Sequence, residues 1–324
     1  MATNDLTPSA QTLYADLVQQ VETAPVAGTV YQRTRDGIVY HYAKVPVGTE
    51  RIDRFIGKAG DPIADAEATA MAQGMALAKD RRRTVSMLKS ARLAGPDRSL
   101  GAALDAIAYA GLFRDGAVLV GTAAYLISEP LVGRRLPAPL LMTGDLDLAT
   151  ANIALSADPP EPMEAILRRA DPTYAAVMQL DPRQPAARFR NSQGYLIDLL
   201  TPIRRRGERP VPLKGLGAGA EPLQHLRWLI ERPISAAALW GAGIAVRIPQ
   251  PVRFAVHKLI VAQRRHATDR IKRQKDLAQA KAMMSALERQ DPFGLEDAID
   301  DARAQGRSWA QSLDRSLAEI ARPD

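Results

Sequence analysis

The stretch Gly144-Asp145-Leu146-Asp147-Leu148 decides the fold that we expect for this chain. Acidic and apolar residues alternate in it, which predicts a β-strand over 140–149. The two aspartates then share one face of the strand, and the leucines point into a core. Two carboxylates on one strand face repel each other unless a cation lies between them. The pattern therefore predicts a cation site on a partly buried strand.

A third acid, Asp198, lies in the otherwise apolar stretch 195–200, which is expected to form a hairpin with 188–191 around 192–194. If this strand lies beside that of Asp145 and Asp147, three carboxylates converge. Such a site can hold two metal ions, one for a triphosphate and one for an attacking hydroxyl. Asp198 would then be the ligand nearest the attacking hydroxyl, where it would either take the hydroxyl proton or lower the pKa of the hydroxyl through the metal. The alternative is an edge-strand acid that faces water.

Composition narrows the kind of metal and partner. The chain of 324 residues has no cysteine, which excludes disulfides, cysteine-based zinc sites and thiol nucleophiles. It has four histidines without metal-ligand spacing: His41, His225, His257 and His266. Carboxylates would therefore hold Mg²⁺ or Mn²⁺. The net charge of +7 favours an anionic partner, although a generally basic surface is the alternative. Neither a signal peptide nor a membrane span is evident, so we expect a cytoplasmic protein without a membrane partner.

Upstream of the acids, Val118-Leu119-Val120 predicts a short strand, and Gly121-Thr122 opens a helix. This order, followed by Asp145-Leu146-Asp147 and then Asp198, resembles the DNA polymerase β-like nucleotidyltransferase superfamily over roughly residues 100–202. The resemblance implies that Gly121 and Thr122 let the backbone approach the triphosphate of an NTP at a helix N-terminus. Thr122 departs from the family pattern by adding a methyl group. The loop over 129–141 is also long, and it can carry Arg134 or Arg135 toward substrate.

The C-terminal half adds a second resemblance. Residues 251–259 followed by 270–280 resemble the helical half of bacterial toxin-type and abortive-infection nucleotidyltransferases. That resemblance implies that Lys258 and Lys275 bind the NTP phosphates and that Asp276 orients a nearby cation. Lys258, Arg265 and Lys272 are spaced by seven and share a stripe if one helix runs through them, which makes Arg265 a further phosphate ligand. The alternative is a solvated basic helix.

Near the N-terminus, Asp36-Gly37 predicts a tight hairpin between strands 29–35 and 38–45, with a third strand over 51–56. Alternation places six residues on one face: Tyr31, Arg33, Arg35, Tyr40, Tyr42 and Lys44. Aromatic rings interleaved with cations suit stacking on bases and contact with phosphates. The alternative is ordinary cross-strand aromatic packing beside a solvated basic edge.

The expected fold class is α+β. A mixed-sheet nucleotidyltransferase core (97–215) follows an N-terminal antiparallel β and helical region (1–96) and precedes a mainly helical C-terminal domain (216–324). Further helices are expected over 10–24, 62–94, 162–180 and from an N-cap at Ser99 to residue 113, with a linker over 204–219.

The predicted function is magnesium-dependent transfer of a nucleotide from an NTP to a hydroxyl of RNA, especially tRNA, of protein or of a small molecule. A role as a toxin with an antitoxin partner, or in phage defence, would fit this chemistry. The alternative is a nucleic-acid-binding regulatory protein with an inactive nucleotidyltransferase fold.

Overall fold

The computed structural model describes residues 5–141, 144–150, 161–179, 181, 183–203 and 210–321. In this part of the chain the helices are α1 (Pro8–Thr23), α2 (Pro62–Ser90), α3 (Arg98–Tyr109), α4 (Gly121–Ser128), α5 (Ala138–Leu141), α6 (Met163–Arg168), α7 (Leu226–Ile230), α8 (Pro251–Ala262), α9 (Arg270–Gln290), α10 (Pro292–Ala304) and α11 (Arg307–Ile320). The strands are β1 (Thr29–Arg35), β2 (Ile38–Val47), β3 (Glu50–Lys58), β4 (Val118–Val120), β5 (Asp145–Ala149), β6 (Ala175–Ala176), β7 (Arg188–Arg190), β8 (Leu196–Pro202), β9 (Val211–Leu213), β10 (Ala218–Leu223), β11 (Ile234–Ala238) and β12 (Ile244–Ile248).

The N-terminal sheet consists of β1, β2 and β3 in antiparallel order, as the sequence predicts. Asp36 and Gly37 adopt φ angles of 53° and 76°, the left-handed backbone that a two-residue hairpin turn requires. One face of the sheet packs on α2, where His41 Nε2 lies 2.8 Å from Asp65 Oδ1. The opposite face points away from α2.

The central sheet is mixed and confirms the expected fold class. Among the described residues it has seven strands in the order β4-β5-β8-β10-β9, with β7 paired to β8 and β6 paired to β7. Strands β5 and β8 run parallel, whereas β4 and β7 are antiparallel to their neighbours. Leu146, Leu148 and Ile197 are fully buried, so one face of this sheet forms the core, as the alternation in β5 predicts.

The C-terminal part is mainly helical but also contains the β11–β12 hairpin. This hairpin packs on α1: the Tyr14 hydroxyl donates to the carbonyl of Ala237 and accepts from its N–H, both at 3.1 Å. Strand β10 follows residue 215 and pairs with β8, while the division of the chain at 96 and 215 stays a prediction. No helix in the described part of the chain is long and apolar enough to cross a membrane.

Several predicted boundaries were wrong. The strand expected over 140–149 begins at Asp145, because 140–141 close α5; residues 142–143 lie outside the described ranges. The helix expected over 162–180 ends at Arg168, and residue 180 is again outside those ranges. Pro172 disfavours helical backbone at Asp171, which explains why the helix does not continue.

The third wrong boundary is the start of α3. Its N-cap is Asp97 and not Ser99, since the Asp97 carboxylate accepts a hydrogen bond of 2.8 Å from the N–H of Leu100. The linker expected over 204–219 contains β9 and the start of β10, while its residues 204–209 are not among those described.

Candidate active site

The three predicted acids lie on one face of the central sheet. Asp147 of β5 and Asp198 of β8 are directly opposite each other in the parallel register, and Asp145 lies two residues before Asp147. Residues paired in this way point to the same side of a sheet, as do residues two apart on a strand. Asp145 is exposed, whereas Asp147 and Asp198 are partly buried. The fold therefore places the predicted acids on one face of the inner strands β5 and β8.

Gly121 lies against the carboxylate of Asp147. It opens α4 directly after β4 and has a φ of +64°, in the left-handed region. A Cβ atom at this position would lie 2.1 Å from Asp147 Oδ2, so the close approach requires glycine. The residue before it, Val120, provides no side-chain cap for α4. The N-terminus of α4, which includes Thr122, is therefore suited to an anion beside the aspartates.

Asp147 is electrostatically crowded. Burial and then the neighbouring charges of Asp145 and Asp198 raise the pKa of Asp147 to about 6, although Lys258 and Arg188 act in the opposite direction. The ionised form of this carboxylate is therefore disfavoured where it stands. A cation at the acidic face would offset both effects.

Arg188 is a site residue that the sequence analysis did not select. In the β7–β8 hairpin it lies opposite Asp198, and its guanidinium forms a two-pronged ion pair with that carboxylate. Arg188 Nε lies 2.5 Å from Oδ1, and Nη2 lies 2.7 Å from Oδ2. This hydrogen bonding raises the pKa of Arg188. The signal was present in the sequence, because a hairpin symmetric about residue 193 pairs 188 with 198.

The predicted phosphate ligands surround a buried acid in the C-terminal helices. Asp276 of α9 is 3% exposed and accepts from Lys258 Nζ at 2.7 Å and from Arg265 Nε at 2.9 Å. Burial alone would raise the pKa of Asp276, but the charges of Lys258 and Arg265 hold it below its ordinary value. Asp276 thus fixes the position of two cations that would otherwise be free to move.

Two lysines of the C-terminal helices, Lys258 and Lys275, interact electrostatically with the aspartates of β5. The charge of Lys258 lowers the pKa of Asp147, and Lys275 of α9 interacts electrostatically with Asp145. Burial, followed by the charge of Lys258, lowers the pKa of Lys275. Helices α8 and α9 therefore bring positive charge beside the acidic face of β5.

The expected stripe of cations along one helix was wrong. Helix α8 ends at Ala262 and α9 begins at Arg270, so Lys258, Arg265 and Lys272 do not share a helix. Arg265 reaches Asp276 from the connection between the two helices, while Lys272 is exposed.

The two arginines of the loop before β5 are held by other parts of the chain. Arg134 donates to Ser285 Oγ of α9 at 3.2 Å. Arg135 donates to the carbonyl of Ala91, just after α2, at 3.1 Å. Neither contact involves the acidic face, so the structure gives them a role in anchoring this loop.

The donor set suits a hard divalent cation, but its side chains are not yet arranged around one. Within the described ranges, no three His, Asp or Glu side chains are gathered closely enough to hold a metal ion. One cause is visible at Asp198, whose two oxygens are both engaged by Arg188. The carboxylate oxygens are ligands that suit Mg²⁺, and both the crowding at Asp147 and the close approach of Gly121 are compatible with a bound cation. Asp198 can join such a site once Arg188 releases one of its carboxylate oxygens.

The structure combines a mixed sheet, an acid pair on one strand, a third acid on its parallel neighbour and a glycine-opened helix. This is the arrangement that the sequence resemblance implies for a nucleotidyltransferase. Residues 98–304, well over half of the chain, match a family model described as nucleotidyltransferase. The chain therefore belongs to this nucleotidyltransferase family and is an enzyme that uses an NTP. No curated protein and no solved structure matches it significantly.

Proposed function

We propose that this enzyme transfers a nucleoside monophosphate from an NTP to an acceptor hydroxyl and that it depends on magnesium. The observation that carries the proposal is the position of Asp147. Its carboxylate lies between the backbone of Gly121 and the in-register Asp198, within the field of Lys258. A buried acid placed between a helix N-terminus and a fixed lysine suits the binding of a metal-bound triphosphate.

In the proposed reaction, the acceptor oxygen attacks the α-phosphorus in line. A new oxygen–phosphorus bond forms, and the bond to the oxygen that bridges toward the β-phosphate breaks, so pyrophosphate leaves. Gly121 and Thr122 bind the triphosphate through the start of α4. Lys258, Arg265 and Lys275 offset its negative charge, and Asp276 keeps the first two in place. The rate gain comes mainly from positioning and charge neutralisation.

The hydroxyl proton passes to a carboxylate of the acidic face, and Asp198 is the proposed acceptor. A carboxylate held by a guanidinium is a weak base, so Arg188 must release Asp198 before it takes the proton. Asp145, Asp147 and Asp198 are the proposed metal ligands. Bound magnesium or manganese would polarise the α-phosphate and lower the pKa of the attacking hydroxyl.

RNA, with tRNA as one example, is the acceptor that the net charge of +7 favours. A protein hydroxyl is the second candidate. Family membership favours an enzyme over the alternative of a binding protein with a silent fold.

Transfer of label tests the chemistry. The full chain is incubated with each α-labelled NTP, magnesium and total RNA or lysate protein, beside Asp147→Asn and the control Asp80→Asn. Asp80 lies on α2, and its side chain is 69% exposed. Wild type and control should transfer label, while Asp147→Asn should lose about 100-fold or more of the rate. Equal transfer by Asp147→Asn would place the chemistry elsewhere. No transfer from any NTP, with RNA still bound, would support the silent-fold alternative.

Thermal unfolding tests the metal separately from turnover. Magnesium plus NTP at 100 times the dissociation constant should stabilise the wild type by about 2.7 kcal/mol. Asp147→Asn removes the repulsion from Asp145 and Asp198, so without ligand it should be at least as stable as the wild type. It should gain little from magnesium and NTP together. A full gain in this variant would refute the assignment of Asp147 to the metal.

The biological setting belongs to the same proposal: a cytoplasmic enzyme that acts as a toxin, with an antitoxin partner, or in phage defence. Growth arrest on expression that disappears with Asp145→Ala would support it. Growth arrest that persists in that variant would separate toxicity from nucleotide transfer.

A further inference from the structure

The N-terminal sheet has two faces of different chemistry. Its inner face packs on α2 through apolar residues and through ion pairs such as Arg54 with Glu67. The register of the three strands places ten aromatic or charged residues on the outer face, together with Thr29, Ile38 and Pro46. Four are aromatic (Tyr31, Tyr40, Tyr42 and Phe55), five are cationic (Arg33, Arg35, Lys44, Arg51 and Lys58), and one is acidic (Asp53). The six residues of β1 and β2 that the sequence analysis selected are all among them.

The rings of the outer face form one continuous group. Tyr31 stacks on Tyr42 with centroids 5.8 Å apart, and Tyr42 meets Phe55 edge to face at 5.4 Å. Tyr40 lies on the other side of Phe55, with centroids 5.8 Å apart. A row of neighbouring rings on a sheet offers successive stacking positions for planar bases.

The cations of this face are placed around the same rings. The Arg33 guanidinium lies 5.2 Å from the centroid of Tyr31 and 5.4 Å from that of Tyr42, and Lys44 Nζ lies 6.0 Å from Tyr31. Arg33 also pairs with Asp53 at 3.3 Å, the one carboxylate of the face. The remaining cations leave a strong positive excess, which complements phosphates that flank stacked bases.

One ring of this face is open to solvent. Phe55 is 57% exposed and Arg35 is 83% exposed, whereas Tyr31, Tyr40 and Tyr42 are half-buried. Solvated aromatic side chains do not stabilise a sheet as buried ones do, so simple packing does not account for Phe55. An exposed ring beside half-buried tyrosines, together with excess cations, matches the chemistry of single-stranded nucleic acid better than that of an apolar protein partner.

We propose that the outer face of the N-terminal sheet binds unpaired nucleotides of RNA by stacking on Phe55 and the neighbouring tyrosines. The choice of RNA over DNA rests on the proposed function, in which RNA is the acceptor. The face then holds a single-stranded segment of the acceptor, with the cations contacting its phosphates. Double-stranded RNA does not present its base faces and binds more weakly.

Fluorescence anisotropy of the full chain tests this surface without NTP. The probe is a labelled 12-nucleotide RNA without self-complementarity, compared with its duplex and with DNA of the same sequence. Phe55→Ala should weaken single-strand binding about tenfold, the effect of losing one stacked base. Phe293→Ala is the matched control, because Phe293 on α10 is 79% exposed and distant in sequence. This control should bind as the wild type does.

A charge variant supplies a second measurement that does not depend on the ring. Lys44→Gln should weaken binding evenly across sequences and reduce the slope of log affinity against log salt by about one. Equal binding by wild type and Phe55→Ala, equal or tighter binding of the duplex, or tighter binding of DNA than RNA would each overturn the proposal. So would label transfer to protein that Phe55→Ala abolishes while RNA binding stays unchanged.

The outcome is separable from that of the proposed function. Binding is measured with Asp147→Asn as well as with wild type, so loss of turnover does not affect it. If Phe55→Ala weakens RNA binding but no NTP gives transfer, the binding surface stands and the proposed reaction fails. If transfer to RNA occurs and Phe55→Ala binds RNA normally, the reaction stands and the surface is refuted.

Discussion

The acidic face of the central sheet and the outer face of the N-terminal sheet differ in how deeply their charged side chains are buried. Beside the acidic face, on α8 and α9, Lys258 and its partner Asp276 have side chains only 12% and 4% exposed, and each ion is held by a near-buried neighbour. At the N-terminal sheet, Arg33 and Asp53 remain 58% and 42% exposed, and the guanidinium rests on aromatic rings. The first arrangement fixes atoms for a reaction, while the second leaves side chains free to adapt to a flexible ligand.

The largest difference in stability between the two regions is expected when the acidic partner of each ion pair is removed. Asp276→Asn leaves Lys258 and Arg265 without a carboxylate in a buried setting, which should destabilise the fold by about 3–5 kcal/mol. The equivalent change Asp53→Asn breaks an exposed pair and should change stability by less than about 1 kcal/mol. Urea denaturation of both variants measures the difference. Similar shifts would show that burial does not distinguish these two ion pairs.

A second test compares two glycines with left-handed backbone. Gly121→Ala and Gly37→Ala share the conformational strain of alanine at positive φ, about 1–2 kcal/mol. A Cβ atom at Gly37 meets nothing within 4 Å, whereas at Gly121 it displaces the Asp147 carboxylate. Displacement of a reacting group by about 1 Å lowers turnover roughly 100-fold. Gly121→Ala should therefore lose this activity in the label-transfer assay, and Gly37→Ala should keep it.

If Gly121→Ala retained full transfer while losing only the stability that Gly37→Ala loses, the contact with Asp147 would have no catalytic meaning. The two variants therefore distinguish a glycine that is needed for a turn from one that is needed for a close approach.

The last comparison concerns pH. Burial, together with the charge of Lys258, lowers the pKa of His257 from the ordinary 6.5 to about 3. Between these values the unfolded chain takes a proton that the folded chain refuses, so stability falls as pH falls, by up to about 1.4 kcal/mol per pH unit. His257→Gln should flatten this slope between pH 6.5 and 3.

Urea denaturation across that pH range measures the slope, with His266→Gln as the control because His266 is exposed. An unchanged slope in His257→Gln would mean that other groups, such as the buried Asp276, cause the acid sensitivity. The comparison therefore distinguishes the contribution of the buried His257 from the general effect of acid on the stability of the chain.

Local signals predicted much of the fold. Asp36-Gly37 specified the first hairpin because few residue pairs accept positive φ at both positions. Alternation identified β5, and the apolar run before Gly121 identified β4 and the start of α4. The same alternation placed Asp145 and Asp147 on one face, since that inference needs only the period of a strand. Their catalytic roles stay predictions.

The structural features that the sequence did not reveal depend on long-range packing. No local signal ends α8 at Ala262; the connection that follows is fixed by contacts such as that of Arg265 with Asp276, eleven residues away. Arg188 is different, because its pairing with Asp198 follows from the symmetry of a hairpin that was predicted. The end of α6 was also readable from Pro172. Both features are therefore encoded locally, whereas the break between α8 and α9 depends on the tertiary structure.

The contact of Tyr14 with Ala237 has a consequence for synthesis. The two residues are 223 positions apart, and the hydrogen bonds between them close a buried cluster that includes Leu17 and Val21. The first helix therefore leaves the ribosome long before its binding surface exists, and its apolar stripe stays uncovered during that interval. Release of the nascent chain before residue 237 leaves that stripe without its partner strand. Chaperones that recognise exposed apolar helices should thus associate with this chain early in translation and dissociate once the β11–β12 hairpin has formed.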